Sequence, residues 1–298
     1  MKLSICIPVY NRDIAKLVQA LELEIQEQSL DAEIVIIDDA SSNKDILDKN
    51  NSILESFQYI KLSQNVGRSQ IRNLFIKFAK GEYLLFLDCD GLIINEYFIS
   101  NYLHYLDSHP ESMVIYGGRV VSSVSAGKDY DLRWLFAKNR ENPSLKYRKQ
   151  HPYLCFQTNN FLIKKDIFSK ISFENQLKKY GYEDVLFSFE LKCADIKIDH
   201  LDNPVFNDDI ESNLIYLQHV EESIGNIAWL LHQSKYREEL KEIKLIKAYL
   251  YLEKLKLKKL YRRLMLPFKN KLRRDLEGKA ISLRKLDLYK LLLLVEKT

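Results

Sequence analysis

Gly81-Glu82-Tyr83-Leu84-Leu85-Phe86-Leu87-Asp88-Cys89-Asp90 is the stretch that decides the fold. Its unbroken apolar run after a glycine predicts a strand buried on both faces, because a strand with one wet face would alternate apolar and polar residues. The run stops at Asp88 and Asp90. Alternate residues of an extended segment point the same way, so both carboxylates can approach one cation at the edge of the core.

The same pattern recurs toward the N-terminus. Residues 3–9 (LSICIPV), 33–37 (EIVII) and 58–62 (QYIKL) read as strands. Residues 14–26, 45–57 and 69–79 carry helical spacing between them. Four strands with helices between them within about ninety residues predict right-handed βαβ crossovers and an α/β fold with a mostly parallel sheet covered on both faces. In such sheets ligands sit outside the carboxyl ends of the strands. Each strand here runs into polar residues: Tyr10-Asn11-Arg12, Asp38-Asp39, Asn65, and Asp88-Cys89-Asp90.

Beyond residue 112 the alternation loosens. Strands are expected at 113–121 and 160–164, a basic and aromatic loop containing Trp134 at 128–153, and helices over 218–295 broken at Pro267 and Gly278. The expected organisation is a catalytic α/β domain at 1–215 and a basic, partly amphipathic helical region at 216–298.

At 298 residues, 46% hydrophobic and 29% charged, the chain can bury a substantial core, which excludes long disorder. The net charge of +4 hides an asymmetry: residues 235–298 carry 20 Lys/Arg against 8 Asp/Glu, and the rest 25 against 33. Cys6, Cys89, Cys155 and Cys193 form no CxxC pair, which argues against a zinc site or disulfide framework and for reduced thiols in a cytoplasmic protein. The apolar start is cut at Pro8, too short for a signal peptide, and no run reaches the ~20 residues of a membrane span.

Read singly, the polar clusters each have a plain structural alternative. Asp88 and Asp90 suit Mg²⁺ or Mn²⁺, which bind hard carboxylate oxygens together with substrate phosphates, or form a solvated turn. Asp38-Asp39 serves an Asx-turn or helix cap, or offers a carboxylate to the N3–H of a uracil ring. Arg68 and Arg72 line a helix face, or pair with a pyrophosphate at the helix N-terminus. In Tyr180-Gly181-Tyr182-Glu183-Asp184 the acids cap a helix, or Asp184 acts as general base toward an acceptor hydroxyl. His200 reads as structural.

Taken in order, IPVYNR (7–12), VIIDDASS (35–42), NVGRSQIRN (65–73), GEYLLFLDCD (81–90), TNNFLIKKDIF (158–168) and GYEDVLF (181–187) resemble the family 2 glycosyltransferases of the GT-A fold, over about residues 1–210. The resemblance implies a nucleotide-sugar donor, with Pro8, Tyr10 and Arg12 bordering base and ribose, Asp39 on the base and Arg68 near the nucleotide. It puts Asp88 on the ribose or sugar and Asp90 on a Mn²⁺ or Mg²⁺ ion that Asp88 also approaches. Asp184 becomes the base of an inverting transfer, with Glu183 positioning a glycan or lipid-linked acceptor. The family often has a further metal-binding histidine near Asn207 or Asp208; none stands here, which leaves Asp208 or Asp209 as a substitute ligand, weaker metal binding, or reduced activity as the alternatives.

Two other readings compete. A catalytically silent relative draws support from Asn207. A nucleotidyltransferase needs a glycine-rich loop after the first strand, where this chain has Pro8-Val9-Tyr10-Asn11-Arg12. The basic region 235–298 suits an anionic membrane surface, which makes the protein peripheral on the inner face of the cell membrane. No nucleic-acid-binding motif accompanies the charge.

Overall fold

The computed structural model describes residues 1–54, 57–177, 180–207 and 210–298. The strands are β1 (Leu3–Val9), β2 (Ala32–Asp38), β3 (Gln58–Lys61), β4 (Tyr83–Leu87), β5 (Gly91–Leu92), β6 (Val114–Tyr116), β7 (Arg119–Val121), β8 (Asn160–Lys164), β9 (Ile198–His200) and β10 (Val205–Asn207). The α-helices are α1 (Ala15–Glu27), α2 (Lys44–Leu54), α3 (Arg68–Phe78), α4 (Phe98–Ser108), α5 (Asp131–Phe136), α6 (Leu145–Gln150), α7 (Lys165–Lys170), α8 (Glu183–Cys193), α9 (Asn213–Leu231), α10 (Arg237–Leu240), α11 (Lys244–Lys254), α12 (Lys258–Met265), α13 (Lys269–Arg274) and α14 (Leu283–Lys297). They divide into two compact units. The first holds Met1–Ser122, Asn142–Lys178 and Glu183–Asp209; the second holds Ser123–Glu141, Lys179–Tyr182 and Ile210–Thr298.

The first unit is built on a seven-stranded sheet in the order β3-β2-β1-β4-β8-β6-β9. β1, β2, β3 and β4 run parallel, while β8 is antiparallel to both β4 and β6. A small sheet, β5-β10-β7, accompanies it. Strand alternation sorts the core into two layers. Ile5, Ile7 and Leu85 pack with Leu17 and Leu21 of α1 and Phe98 and Tyr102 of α4. Cys6, Val35 and Phe86 pack on the other face with Ile71 and Phe75 of α3 and with Phe161, Phe168 and Phe187. Phe86 stacks on Phe161 at 4.9 Å between centroids. Each such buried side chain contributes roughly 1.5–3 kcal/mol through removal from water. Gly81 has to be glycine: a Cβ there would lie 2.5 Å from the Ser4 backbone nitrogen.

The chain leaves β1 toward β2 on one side and reaches β4 on the other, so the β1/β4 seam is the topological switch point. β1 pairs with β4 only from Leu3 to Cys6, whereas it pairs with β2 as far as Val9. The Val9 carbonyl accepts from the Asp39 N–H at 2.8 Å, so by alternation the Pro8 backbone faces the β4 side. Proline, which has no N–H to leave orphaned, therefore stands where the seam has already parted.

Three expectations are revised. Residues 113–121 are not one strand: Gly117-Gly118, with Gly118 at φ 99°, turns the chain so that β6 and β7 join different sheets. The expected loop at 128–153 is largely helical, with α5, a π-helical turn at Ala137–Glu141, and α6. The cut expected at 215/216 is replaced by interleaved segments, because residues 123–141 pack in the second unit.

The second unit is helical. Its core gathers Leu132 of α5, Tyr216, Leu217 and Val220 of α9, Leu272, Leu276, and Leu286 and Tyr289 of α14. Asn213 ties α9 to the residues before α5, donating to the Lys128 carbonyl at 2.7 Å and accepting from the Leu132 N–H at 2.8 Å. Arg133, held above its usual range by Glu141, lies 2.8 Å from that carboxylate and over the Tyr216 ring. Gly278, at φ 149°, breaks the helices where expected, and Pro267 sits in a 3₁₀ turn. Among the described residues no helix is long and apolar enough to cross a membrane.

Candidate active site

Loops at the carboxyl ends of β1 and β2 lock together first. The Asn11 side-chain oxygen accepts from the Ser42 and Asn43 N–H groups, both at 2.9 Å. Ser41 Oγ accepts from the Asn11 N–H at 2.7 Å. Buried Asp38 braces the turn that follows β2, accepting from the Ser41 N–H at 2.6 Å and from the Tyr59 hydroxyl at 2.8 Å. Asp39 has a different task. Its two carboxylate oxygens accept from Val66 N–H at 2.7 Å and Gly67 N–H at 3.0 Å, which fastens the entry of α3 to β2. Each oxygen retains a second lone pair for another donor.

Arg68, the first residue of α3, reaches across the rim. Its Nε donates to Glu183 Oε1 at 2.9 Å and its Nη2 to Asp88 Oδ2 at 3.5 Å. Arg72, one turn on and 2% exposed, donates through Nη2 to Asp88 and through Nη1 to the Arg68 carbonyl at 3.0 Å. Both guanidiniums thus meet protein carboxylates, and Asp88 sits between two positive charges. Glu183 is buried at the first turn of α8, beside half-buried Asp184, where the helix dipole favours negative charge. Left-handed backbone at Gly181 (φ 95°) and Tyr182 (φ 69°) precedes the pair.

Asp90 lies where the small sheet meets the end of β4. Asn207 stands opposite Gly91 in the β10–β5 register, and its side-chain N–H donates to Asp90 Oδ2 at 3.2 Å. The Asp90 carboxyl is raised above the usual carboxylate range, chiefly by burial and then by the charge of Asp88; Arg119, Arg68 and Arg12 oppose the rise. A cation would relieve both causes, so the donor set fits a divalent ion that takes its remaining ligands from phosphate oxygens. Among the described residues no three His, Cys, Asp or Glu side chains cluster tightly enough to hold a metal by themselves. Asp208 and Asp209, the expected substitute ligands, lie outside the described residues.

Pro8 is half-buried, Tyr10 is exposed and Arg12 is half-buried at the end of β1. The Arg12 carbonyl accepts from the Asn50 amide at 2.8 Å. Cys89 is pushed up to about 12, first by burial and then by Asp90 and Asp88, so it stays a thiol. The described cysteines are free. His200 is 2% exposed, with a ring nitrogen 3.0 Å from the Pro152 carbonyl, and is a core residue.

Two residues escape a reading of the sequence. Arg119, buried just after the Gly117-Gly118 turn, adds positive charge at Asp90. Asn159 stands opposite Asp88, whose N–H donates to the Asn159 carbonyl at 3.0 Å. Both polar atoms of the buried Asn159 side chain, with Ser69 Oγ and Arg72 Nε, have no hydrogen-bond partner among the described residues. Buried polar groups are ordinarily matched, so these unmatched ones on α3 and beside the end of β4 are candidates for contact with water or a ligand. The only signal available beforehand was the Asn159-Asn160 pair itself. By contrast, a cavity of about 410 Å³ opens at the other end of the strands, among Glu22, Gln26, Glu33, Phe57, Gln58 and Lys80, and brings no such set together.

A mostly parallel sheet whose carboxyl rim carries Asp88 and Glu183 joined through Arg68, beside a loop held by Asp39, is an α/β architecture of the GT-A kind. Residues 4–172, more than half the chain, match the Glycosyl transferase family 2 domain, and the chain belongs to that family. Its curated relatives include an uncharacterized glycosyltransferase of Haemophilus influenzae, 30% identical over 128 residues (43% of this chain, 42% of that protein). The minor teichoic acid biosynthesis protein GgaB of Bacillus subtilis is 28% identical over 181 residues (59% and 19%). A poly(ribitol-phosphate) beta-glucosyltransferase of Bacillus spizizenii is 40% identical over 101 residues (32% and 16%). The matches therefore span less than half of each relative, from 16% to 42%. Among solved structures, S. aureus TarS 1-349 in complex with UDP-GlcNAc matches with a TM-score of 0.51 at 17% identity, covering 100% of this chain and 92% of that one. The mannosyltransferase PcManGT from Pyrobaculum calidifontis, in complex with GDP-Man and Mn²⁺, matches with a TM-score of 0.53 at 11% identity (78% and 65%). These likenesses show a shared fold.

Proposed function

We propose that this chain is an inverting glycosyltransferase that moves a hexosyl or N-acetylhexosaminyl group from a UDP-sugar to a hydroxyl of a glycan or lipid-linked acceptor in cell-surface polysaccharide synthesis. The observation that carries the reading is Arg68, which joins Asp88 at the end of β4 to Glu183 at the start of α8, directly after a loop held by Asp39. Residues far apart in sequence thereby share one rim, with a donor side and an acceptor side.

In this reading Asp39 uses a spare lone pair to accept the N3–H of the base, and Pro8, Tyr10 and Arg12 border the base and ribose. Arg68 and Arg72 give the rim positive charge for the diphosphate. Asp90 and Asp88 would hold Mn²⁺ or Mg²⁺, which when bound neutralises charge on the leaving diphosphate. Asp184 takes the proton of the acceptor hydroxyl as that oxygen bonds to the anomeric carbon. The bond from that carbon to the diphosphate oxygen breaks on the opposite face, and its electron pair leaves with UDP. Glu183, fixed by Arg68, positions the acceptor. The names of the teichoic acid relatives support a cell-surface polymer as the acceptor, and the UDP-GlcNAc complex of TarS supports a uridine donor.

Asn207 favours one competing reading, a silent relative that binds the donor without turnover. Labelled UDP-glucose and UDP-GlcNAc, incubated with the protein and Mn²⁺, separate the two. Release of UDP that disappears in Asp184→Asn and Asp90→Ala supports transfer. Nucleotide binding with no release above blank supports the silent relative.

A further inference from the structure

The helical unit carries an apolar surface that its own core does not use. Along α12 the inward-turned side chains are Tyr261, whose hydroxyl donates to the Leu288 carbonyl at 3.2 Å, and Met265, packed against the core of that unit. One residue back around the helix, Leu260 and Leu264 stay 51% and 59% exposed. Phe268, continuing the same stripe in the following turn, is 53% exposed, and Tyr251 and Leu255 of the preceding segment are exposed as well. The apolar sector of α12 is therefore wider than the protein surface it covers. Lys256, Lys259, Arg262 and Arg263, all exposed, flank the stripe.

Scattered exposed leucines need no explanation, but a contiguous stripe ringed by charge does. A second copy of the chain would bring another 20 Lys/Arg against 8 Asp/Glu over residues 235–298 to the same place, and like charges repel. A polyanion such as RNA would satisfy the cations and leave the leucines in water. A bilayer with anionic headgroups satisfies both, since acyl chains take the leucines and phosphates take the lysines and arginines. We infer that the α12 stripe is a membrane-docking surface that seats the helical unit on an anionic bilayer, with Leu260, Leu264 and Phe268 entering the headgroup boundary. The inference is independent of the proposed transfer reaction, because it uses none of the residues at the sheet rim.

Sedimentation of the full chain with phosphatidylcholine vesicles, and with vesicles containing about a third phosphatidylglycerol, tests it. Binding is expected to the anionic vesicles alone and to weaken as salt rises. The triple variant Leu260→Ser/Leu264→Ser/Phe268→Ser changes only exposed positions, so its thermal midpoint stays that of the parent while its vesicle partition falls at least tenfold. Three outcomes overturn the inference: equal recovery from both lipids, a triple variant that binds as tightly as the parent, or a parent dimer that the triple variant abolishes without any vesicle binding. An RNA oligomer bound in preference to the vesicles, and unaffected by the triple variant, overturns it too.

Discussion

Lowering the pH from 7 to 5 should destabilise the first unit through His200 by about 2 kcal/mol. Burial pulls this imidazole from its ordinary 6.5 down to about 4, against a smaller opposing effect of the Pro152 carbonyl; Arg148 and Lys149 add to the drop and Asp199 resists it. Between those values the unfolded chain takes up a proton that the folded one refuses. Stability is therefore complete above pH ~6.5 and declines as pH falls toward 4. Each pH unit is worth about 1.4 kcal/mol, so the full loss is about 3 kcal/mol, with about 2 already gone at pH 5. His200→Gln keeps an N–H for the Pro152 carbonyl and removes the titration. Urea unfolding of parent and variant at pH 7 and pH 5 isolates the histidine, because all other groups titrate equally in both. The tryptophans, Trp134 and Trp229, belong to the helical unit, so far-UV circular dichroism is the suitable signal. The parent should lose about 2 kcal/mol more than the variant. Equal losses, or a His200 ring resonance that titrates near 6.5, would refute the reasoning.

Gly117→Ala should cost ~3 kcal/mol or more by thermal unfolding, because its Cβ would fall 2.1 Å from the Tyr102 hydroxyl and 2.7 Å from the Asn203 carbonyl, both fully buried. Arg72→Met should cost roughly 2–3 kcal/mol in the same measurement, leaving Asp88 with only the longer contact to Arg68, and should also weaken UDP binding by calorimetry. Asn207→Asp brings a further carboxylate to Asp90 and should tighten Mn²⁺ binding on the order of tenfold, read by the paramagnetic resonance of free Mn²⁺. Unchanged Mn²⁺ affinity would remove Asp90 from the cation site.

The four parallel strands were legible because their signal is local. An apolar run and the polar residues that end it lie within a dozen positions, as at Tyr83–Leu87 and Asp88. The rim could be foreseen for the same reason, since Asp39, Arg68, Asp88 and Asp90 each follow a strand or open a helix. What joins them could not be foreseen. Arg68 meets Glu183 across 115 positions, and no periodicity reports a pairing of that span. Arg119 was hidden for a related reason: the run at 113–121 reads as one strand until Gly117-Gly118 turns it out of the main sheet. In residues 128–136 the aromatic and basic side chains resembled a loop. Leu132 becomes helical because the second unit supplies the apolar neighbours that the local sequence lacks.

Proline at position 8 has a consequence for readiness. A crevice flanked by two strands of a sheet ordinarily risks zipping shut, since each further backbone rung would bring the rims closer. Pro8 offers no hydrogen to make that next rung with β4. The end of the β1–β4 ladder is thus written into the covalent chain, and a ligand that uses this seam would not have to break a backbone rung to reach it.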